Sequence, residues 1–157
     1  MEENPVPSGP DLDPHVPVNL DALISAAGDA IILADPDGMI RLWNPAAERL
    51  FGFPPGEALG SSLDLIIPER FRPRHWAGYR EVMRTGQTRY GVDVLRVPGL
   101  RKDGKRISIA FTVALLRAPD GQVTGIAAIV RDETARWEEE QQMRRRLAEL
   151  EGRRPST

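Results

Sequence analysis

The sequence predicts an α+β domain in which tight turns join antiparallel strands. Two apolar stretches flank the Asp37-Gly38 pair, which is typical of a hairpin turn. Asn44-Pro45 follows and indicates a helix start, because Asn caps a first turn and Pro suits the first helical position. Apolar residues alternate strictly over 107–115, and Asp120-Gly121 then leads into a further strand. An early hairpin, helices in the middle and a later long hairpin indicate helices packed against a sheet.

Turn residues and apolar spacing predict the elements in order. The apolar run before Asp35 is a buried strand, and Gly52 ends the helix that Asn44 caps. Pro73 opens a longer helix that ends at Thr85-Gly86. The predicted elements are strands over 30–34 and 39–43, helices over 46–51, 57–60 and 73–85, and strands over 92–97, 107–115 and 123–130.

Composition fits one globular domain. The chain has 157 residues, a formal net charge of −2 and 41% hydrophobic residues, enough for an ordinary core. Interspersed charges leave no basic footprint, so we expect no nucleic-acid partner. The absence of cysteine excludes disulfides and thiolate metal sites and fits a reducing compartment. No apolar run approaches the roughly 18 residues of a membrane span and no signal pattern opens the chain, so we expect a cytoplasmic protein without a membrane partner.

Three segments are predicted along the chain. Residues 1–17 are rich in proline and poor in apolar side chains, which predicts a disordered leader. Residues 18–134 hold the domain, which begins with a short amphipathic helix over 20–27 that Gly28 ends. Residues 135–157 form an exit helix and tail.

The exit helix is charged and has one thin apolar stripe. Met143, Leu147 and Leu150 have the 4-then-3 spacing of a coiled-coil seam. Such a helix is unstable alone, so it needs either the sheet or a second copy of itself as a partner. We expect a homodimer through the N-terminal and exit helices, together with an output domain or partner protein outside this chain.

The order of elements resembles that of the PAS domain family. The resemblance covers about residues 20–136, and it depends on several motifs that occur in the family's order and at its spacing. The motifs are Asp37-Gly38 with Ile40, Asn44-Pro45-Ala46-Ala47-Glu48, Leu50-Phe51-Gly52, Arg101-Lys102-Asp103-Gly104 and Asp132-Glu133-Thr134.

The resemblance implies the PAS fold, a five-stranded antiparallel sheet with helices over one face and a C-terminal signalling helix. It also implies a sensory or interaction module with a cavity between the helices and the sheet. The fold does not identify the ligand, because the same scaffold holds different groups or none. The lack of cysteine excludes the light-sensing subclass that forms a cysteinyl flavin adduct.

The segment 70–79 resembles the helix of haem-binding PAS sensors that supplies an iron-ligating histidine. That likeness implies b-type haem held by His75, since a neutral imidazole is a good iron ligand. Tyr79 lies one turn later, and Arg80, like Arg74 and Arg89, would meet the propionates. Met83 shares the helix face with His75 and is a candidate second ligand, as is Met39, although core packing explains Met83 as well. Ile109, Phe111 and Val113 would line the gas side.

The spacing departs from that pattern at one point. Tyr79 follows His75 by four residues, whereas the oxygen-sensing kinases have three, so an ungapped alignment places Trp76 in the ligand position. His75 is also explained as an ordinary helix residue beside Trp76.

Two functions are therefore open. One is a haem sensor of a diatomic gas (O2, CO or NO) or of redox state, which relays its signal through the exit helix. The alternative is a haem-free dimerisation or interaction module with an empty or small-metabolite pocket. We expect no enzyme, because the chain has no Ser-His-Asp order, no phosphate-binding glycine loop and no HExxH motif.

Overall fold

The computed structural model describes residues 10–89 and 91–152. Within them the chain forms five strands, five α-helices and two short 3₁₀ helices. In order these are α1 (Leu20–Ala26), β1 (Ala30–Ala34), β2 (Ile40–Trp43), α2 (Pro45–Phe51), α3 (Pro55–Ala58), 3₁₀ helices at Leu63–Ile66 and Glu69–Phe71, α4 (Arg72–Thr85), β3 (Leu95–Leu100), β4 (Arg106–Arg117), β5 (Val123–Asp132) and α5 (Thr134–Gly152).

The five strands form one antiparallel sheet in the order β2-β1-β5-β4-β3. The last strand in sequence, β5, lies at the centre, where Val130 pairs with Ala30 of β1 on one side and Phe111 of β4 on the other. The two hairpins, β1–β2 and β3–β4, are therefore joined through β5. This architecture confirms the predicted sheet, while the strand order comes from the structure.

One face of the sheet carries the core. Ile32, Ile109 and Val130 point to this inner face and are buried, whereas Ile129 on the outer face is 52% exposed. The helix α2 covers the inner face through Phe51, which is fully buried. A Cβ atom at Gly99 of β3 would lie 3.3 Å from a ring carbon of Phe51, so this glycine lets the ring approach the sheet.

The buried amide of Asn44 joins three elements. Its side-chain oxygen accepts hydrogen bonds from the backbone N–H groups of Ile31 (2.9 Å) and Ala47 (3.0 Å). Its NH₂ group donates to the carbonyl oxygens of Ile24 and Asp29, both at 3.1 Å. The predicted N-cap is thus confirmed, and the same side chain also binds β1 and the end of α1 to α2.

Most predicted boundaries agree with the structure, but one strand was placed wrongly. The predicted strand over 92–97 begins instead at Leu95 and continues to Leu100, and Val92 is 92% exposed. Pro98 lies inside β3 because β3 is an edge strand, where a missing N–H can face away from the sheet. The single turn expected over 57–60 also begins earlier, at Pro55.

The two ends of the chain are described in part. Residues 1–9 of the predicted leader and 153–157 of the predicted tail lie outside the described residues, and residues 10–17 contain no helix or strand. The exit helix α5 has no buried residue along its length. Among the described residues, no helix is long and apolar enough to cross a membrane.

We expect Asn44→Ala to lower the free energy of unfolding by about 3 kcal/mol, because it removes a cap and leaves buried backbone groups unpaired. Urea unfolding followed by circular dichroism measures the change. The matched control is Asn19→Ala at the exposed cap of α1, where one hydrogen bond to Ala22 is lost at a cost of about 0.5–1 kcal/mol. Equal losses in the two variants would contradict the joining role of Asn44.

Candidate functional site

The helix α4 is held above the sheet by polar contacts along its length. The Tyr79 hydroxyl donates to the carbonyl oxygen of Asp35 at 2.5 Å, and the Trp76 indole N–H donates to the Asp64 carboxylate at 2.8 Å. At the far end of the helix, the Arg117 guanidinium donates to the carbonyl oxygen of Gly86. Burial, together with the Asp35 carboxylate, raises the pKa of the Tyr79 phenol, so the hydroxyl stays protonated and can donate.

Trp76 packs against the β1–β2 turn. Gly38 has a φ of +80°, and a Cβ atom there would lie 2.2 Å from Cη2 of the Trp76 ring. The turn therefore needs glycine for two reasons, the backbone conformation and the close approach of the indole. This contact fixes the start of α4 over the β1–β2 hairpin.

His75 is half-buried between aromatic rings. Its ring centroid lies 4.8 Å from that of Trp76 and 5.7 Å from that of Tyr79. Its Nδ1 is the one buried side-chain nitrogen or oxygen in residues 10–89 and 91–152 that has no hydrogen-bond partner. Desolvation lowers the pKa of His75, opposed by the nearby Asp64 carboxylate, so the imidazole is neutral at pH 7.

The inner face of the sheet is covered unevenly. Ile109 of β4 and Val130 of β5 are buried beneath α2, whereas their inner-face neighbours toward the other end of each strand are only half-buried. These half-buried residues are Phe111, Val113, Ile126 and Ala128. Phe111, Ile126 and Ala128 pack against the core cluster that includes Tyr79 of α4, so this apolar strip of the sheet is partly covered.

The predicted site residues are brought together in part. Trp76, Tyr79, Met83, Ile109 and Phe111 pack into one core cluster, which His75 joins through its two ring contacts. Core packing thus accounts for Met83. Val113 is half-buried on the same face of β4, and Arg80 is exposed on α4.

The fit to a haem is partial: the described residues form no haem site, and both described clefts lie away from His75. A neutral imidazole with an unpartnered nitrogen is a suitable donor, and a half-buried apolar strip suits a flat apolar ring. Trp76 and Tyr79 already use their polar atoms to hold α4. They are therefore suited to positioning His75 rather than to binding a cofactor through those atoms.

Two surface clefts lie away from His75. One, of about 250 Å³, is lined by Asp29, Arg49, Arg101 and Arg131. The other, of about 480 Å³, lies between the first turns of α5 and strands β3 and β4, beside Trp137. In the described part of the chain, no group of three or more His, Cys, Asp or Glu residues could hold a metal ion.

The start of α5 is tied to the sheet by contacts that the sequence alone did not indicate. Arg96 of β3 donates to the Glu133 carboxylate at 3.0 Å, and the Glu133 N–H donates to the Ser108 carbonyl oxygen at 2.8 Å. The Thr134 hydroxyl oxygen accepts from the Ser108 N–H at 3.1 Å and donates to Asp132 at 2.6 Å. The Asp132-x-Thr134 pattern indicated where α5 starts. No pattern in the sequence predicted that Arg96 binds Glu133 or that Trp76 binds Asp64.

We expect the free energy of unfolding to fall as the pH falls through 6.5, the ordinary pKa of histidine, toward the lower pKa of folded His75. In this window the unfolded chain binds more protons than the folded chain, so acid favours unfolding. Denaturation at steps between about pH 5 and pH 8 measures the slope. His75→Gln should flatten it, whereas His15→Gln, at the exposed second histidine, should leave it unchanged. An undiminished slope in His75→Gln would contradict this assignment.

Comparison of the sequence with known proteins identifies a family with this fold. The family model for the PAS fold matches residues 19–132. The chain is 33% identical over 134 residues to the sensor protein FixL of Bradyrhizobium diazoefficiens, covering 85% of this chain and 25% of that protein. It is 29% identical over 113 residues to the oxygen sensor protein DosP of Escherichia coli, covering 72% of this chain and 14% of that protein. The chain thus spans a quarter or less of the length of these two relatives.

Solved structures have the same fold. An RNA-binding light-oxygen-voltage receptor superposes with a TM-score of 0.68 at 28% identity, covering 94% of this chain and 42% of that chain. The PAS domain of a protein from Colwellia psychrerythraea superposes with a TM-score of 0.64 at 22% identity, covering 74% of this chain and 94% of that chain. With the family match over most of its length, this chain belongs to the PAS family and carries a PAS sensory domain.

Proposed function

We propose that this PAS domain senses a diatomic gas or redox state through a b-type haem that His75 holds between α4 and the sheet. The observation that carries the proposal is the buried, unpartnered Nδ1 of His75 on a neutral imidazole. The presence of an oxygen sensor among the relatives supports the same class of signal. When bound, haem would supply an iron centre for a diatomic ligand.

The residues around His75 have distinct roles in this proposal. His75 binds the iron, while Trp76 and Tyr79 fix the rotation of α4 through Asp64 and Asp35. The half-buried strip that includes Phe111 and Val113 lines the opposite side and excludes bulk water. Exposed Arg80, which has no ion-pair partner among the described residues, is available to a propionate.

In this proposal, the signal passes from the haem to the exit helix α5 along β4. Phe111 lies three residues beyond Ser108 on this strand, and Ser108 contacts Glu133 and Thr134 at the start of α5. A shift of β4 would therefore act on the hydrogen bonds that orient the exit helix. Such a relay needs an element with two arrangements, and α5 qualifies because little of it is held by its own chain. An output domain or partner protein outside this chain would respond to the orientation of α5.

A second candidate is a haem-free interaction module with an empty or small-metabolite pocket. It is favoured by the tight packing of α4, because Trp76 packs on Gly38 and two hydrogen bonds join the helix to Asp64 and Asp35. It is also favoured by the location of both clefts away from His75.

Spectra of protein expressed with haem supplementation distinguish the two candidates. We expect a strong Soret band at about 400–430 nm, lost in His75→Ala while the far-ultraviolet circular dichroism is unchanged. His15→Ala, at the exposed second histidine, is the matched control and should keep the band. Added imidazole should restore the band in His75→Ala by replacing the missing ligand.

A featureless spectrum of the unsubstituted protein would favour the haem-free module. A Soret band that survives in His75→Ala would show that His75 is not the ligand.

A further inference from the structure

The cleft between the first turns of α5 and strands β3 and β4 has the size of a small-molecule site. Its volume of about 480 Å³ lies within the range of about 300–1,000 Å³ that is usual for ligand pockets. Ser108, which binds the start of α5, is among its lining residues. His75 is not, so the cleft is separate from the candidate haem site.

One wall of the cleft is apolar and open to water. The Trp137 side chain is 51% exposed and Val97 is 40% exposed, with Pro98 beside it on β3. Among the described residues, Trp137 contacts no other aromatic ring, and its indole N–H has no hydrogen-bond partner. The fold uses the other two tryptophans, because the indole N–H groups of Trp43 and Trp76 each donate a hydrogen bond. A large ring that the domain leaves open is suited to pack against an apolar group of a ligand.

Two charged side chains at the cleft are also unused by the fold. Arg106 begins β4, and Glu138 lies in the first turns of α5. In residues 10–89 and 91–152, neither side chain forms an ion pair or a hydrogen bond, although both line the same cleft. The other charged residues of the lining are paired with one another, and they are Arg96, Glu133, Arg136 and Glu140. Within this part of the chain, the cleft therefore offers one unpaired cation and one unpaired anion.

We propose that this cleft binds a free amino acid with a large apolar side chain. The side chain of the ligand packs on the Trp137 ring and Val97. Its carboxylate binds the Arg106 guanidinium, and its ammonium group binds the Glu138 carboxylate. A ligand with a single charge would leave one of these two residues unpaired, so the two together select a zwitterion. Both side chains are long and rotatable, which lets them reach one small molecule.

A bound amino acid would join the exit helix to the sheet. Trp137 and Glu138 belong to α5, whereas Arg106 and Val97 belong to the strands. These contacts add to those that Ser108 makes with the start of α5. Binding should therefore slow hydrogen exchange in the first two turns of the helix. An unchanged exchange rate at saturating L-phenylalanine would contradict this arrangement.

Nuclear magnetic resonance titration of protein prepared without haem tests the site independently of His75. The indole N–H signal of Trp137 is identified by its loss in Trp137→Phe, and L-phenylalanine should shift this signal. Phenethylamine lacks the carboxylate and 3-phenylpropionate lacks the ammonium group, so each should bind about tenfold more weakly or less. A shift of the Trp43 or Trp76 signal instead of the Trp137 signal would place the ligand inside the domain and overturn the proposal.

Substitutions that remove one charge test the role of each group. Arg106→Gln should weaken binding of L-phenylalanine and 3-phenylpropionate about tenfold and leave that of phenethylamine unchanged. Glu138→Gln should weaken binding of L-phenylalanine and phenethylamine and leave that of 3-phenylpropionate unchanged. Arg145→Gln, exposed on the same helix outside the cleft, is the matched control and should leave all three affinities unchanged.

Removal of the apolar wall is the remaining test. Trp137→Ala, followed at the Ser108 amide signal, should abolish binding of all three compounds without changing the circular dichroism, because the exposed ring lies outside the core. Equal losses for all three compounds in Arg106→Gln and in Glu138→Gln would overturn the proposal, since the two charges would then have only a structural role. Absence of any shift of the Trp137 signal with L-phenylalanine near its solubility limit would overturn it as well.

Discussion

Burial of a single sheet face governs this structure. Successive side chains of a strand point to opposite faces of the sheet, and here the apolar ones point to the inner face. Helices must cover that face to shield it from water. The short helix α2 does so tightly with Phe51, because Gly99 lets the ring lie close to the strands. The other end of this face is covered less completely, and Phe111 and Ala128 are half-buried there.

The candidate site exists because α4 is positioned by polar contacts as well as by apolar packing. Trp76 and Tyr79 each bury a large ring and use one polar atom to bind a fixed partner, Asp64 or the Asp35 carbonyl. Because the polar atoms of both neighbours are already hydrogen-bonded, they leave the Nδ1 of His75 without a partner in a partly apolar setting. Unpartnered buried polar atoms are uncommon in folded proteins, which singles out this nitrogen among the described residues.

The exit helix is joined to the sheet through contacts of β4 and of the edge strand β3. The strand β4 carries the half-buried strip at one point and the Ser108 contacts to α5 at another. Arg96 of the edge strand adds an ion pair to Glu133. A ligand between α4 and the sheet and a partner on α5 would thus act on the same strands. The first turns of α5 belong to the domain, and the later turns are available to a partner.

The sequence by itself determined the features that depend on neighbours along the chain. Asn44-Pro45 specified a capped helix, Asp37-Gly38 a turn, and the alternation over 107–115 a strand with one buried face, because each depends on local backbone chemistry. Only the tertiary structure decided that β5 is central, that β3 is an edge able to contain Pro98, and that Trp76 reaches Asp64. It also decided which of the two nitrogens of His75 is buried without a partner. Those outcomes depend on contacts between distant residues, and the periodicity of a single chain does not encode which distant residues meet.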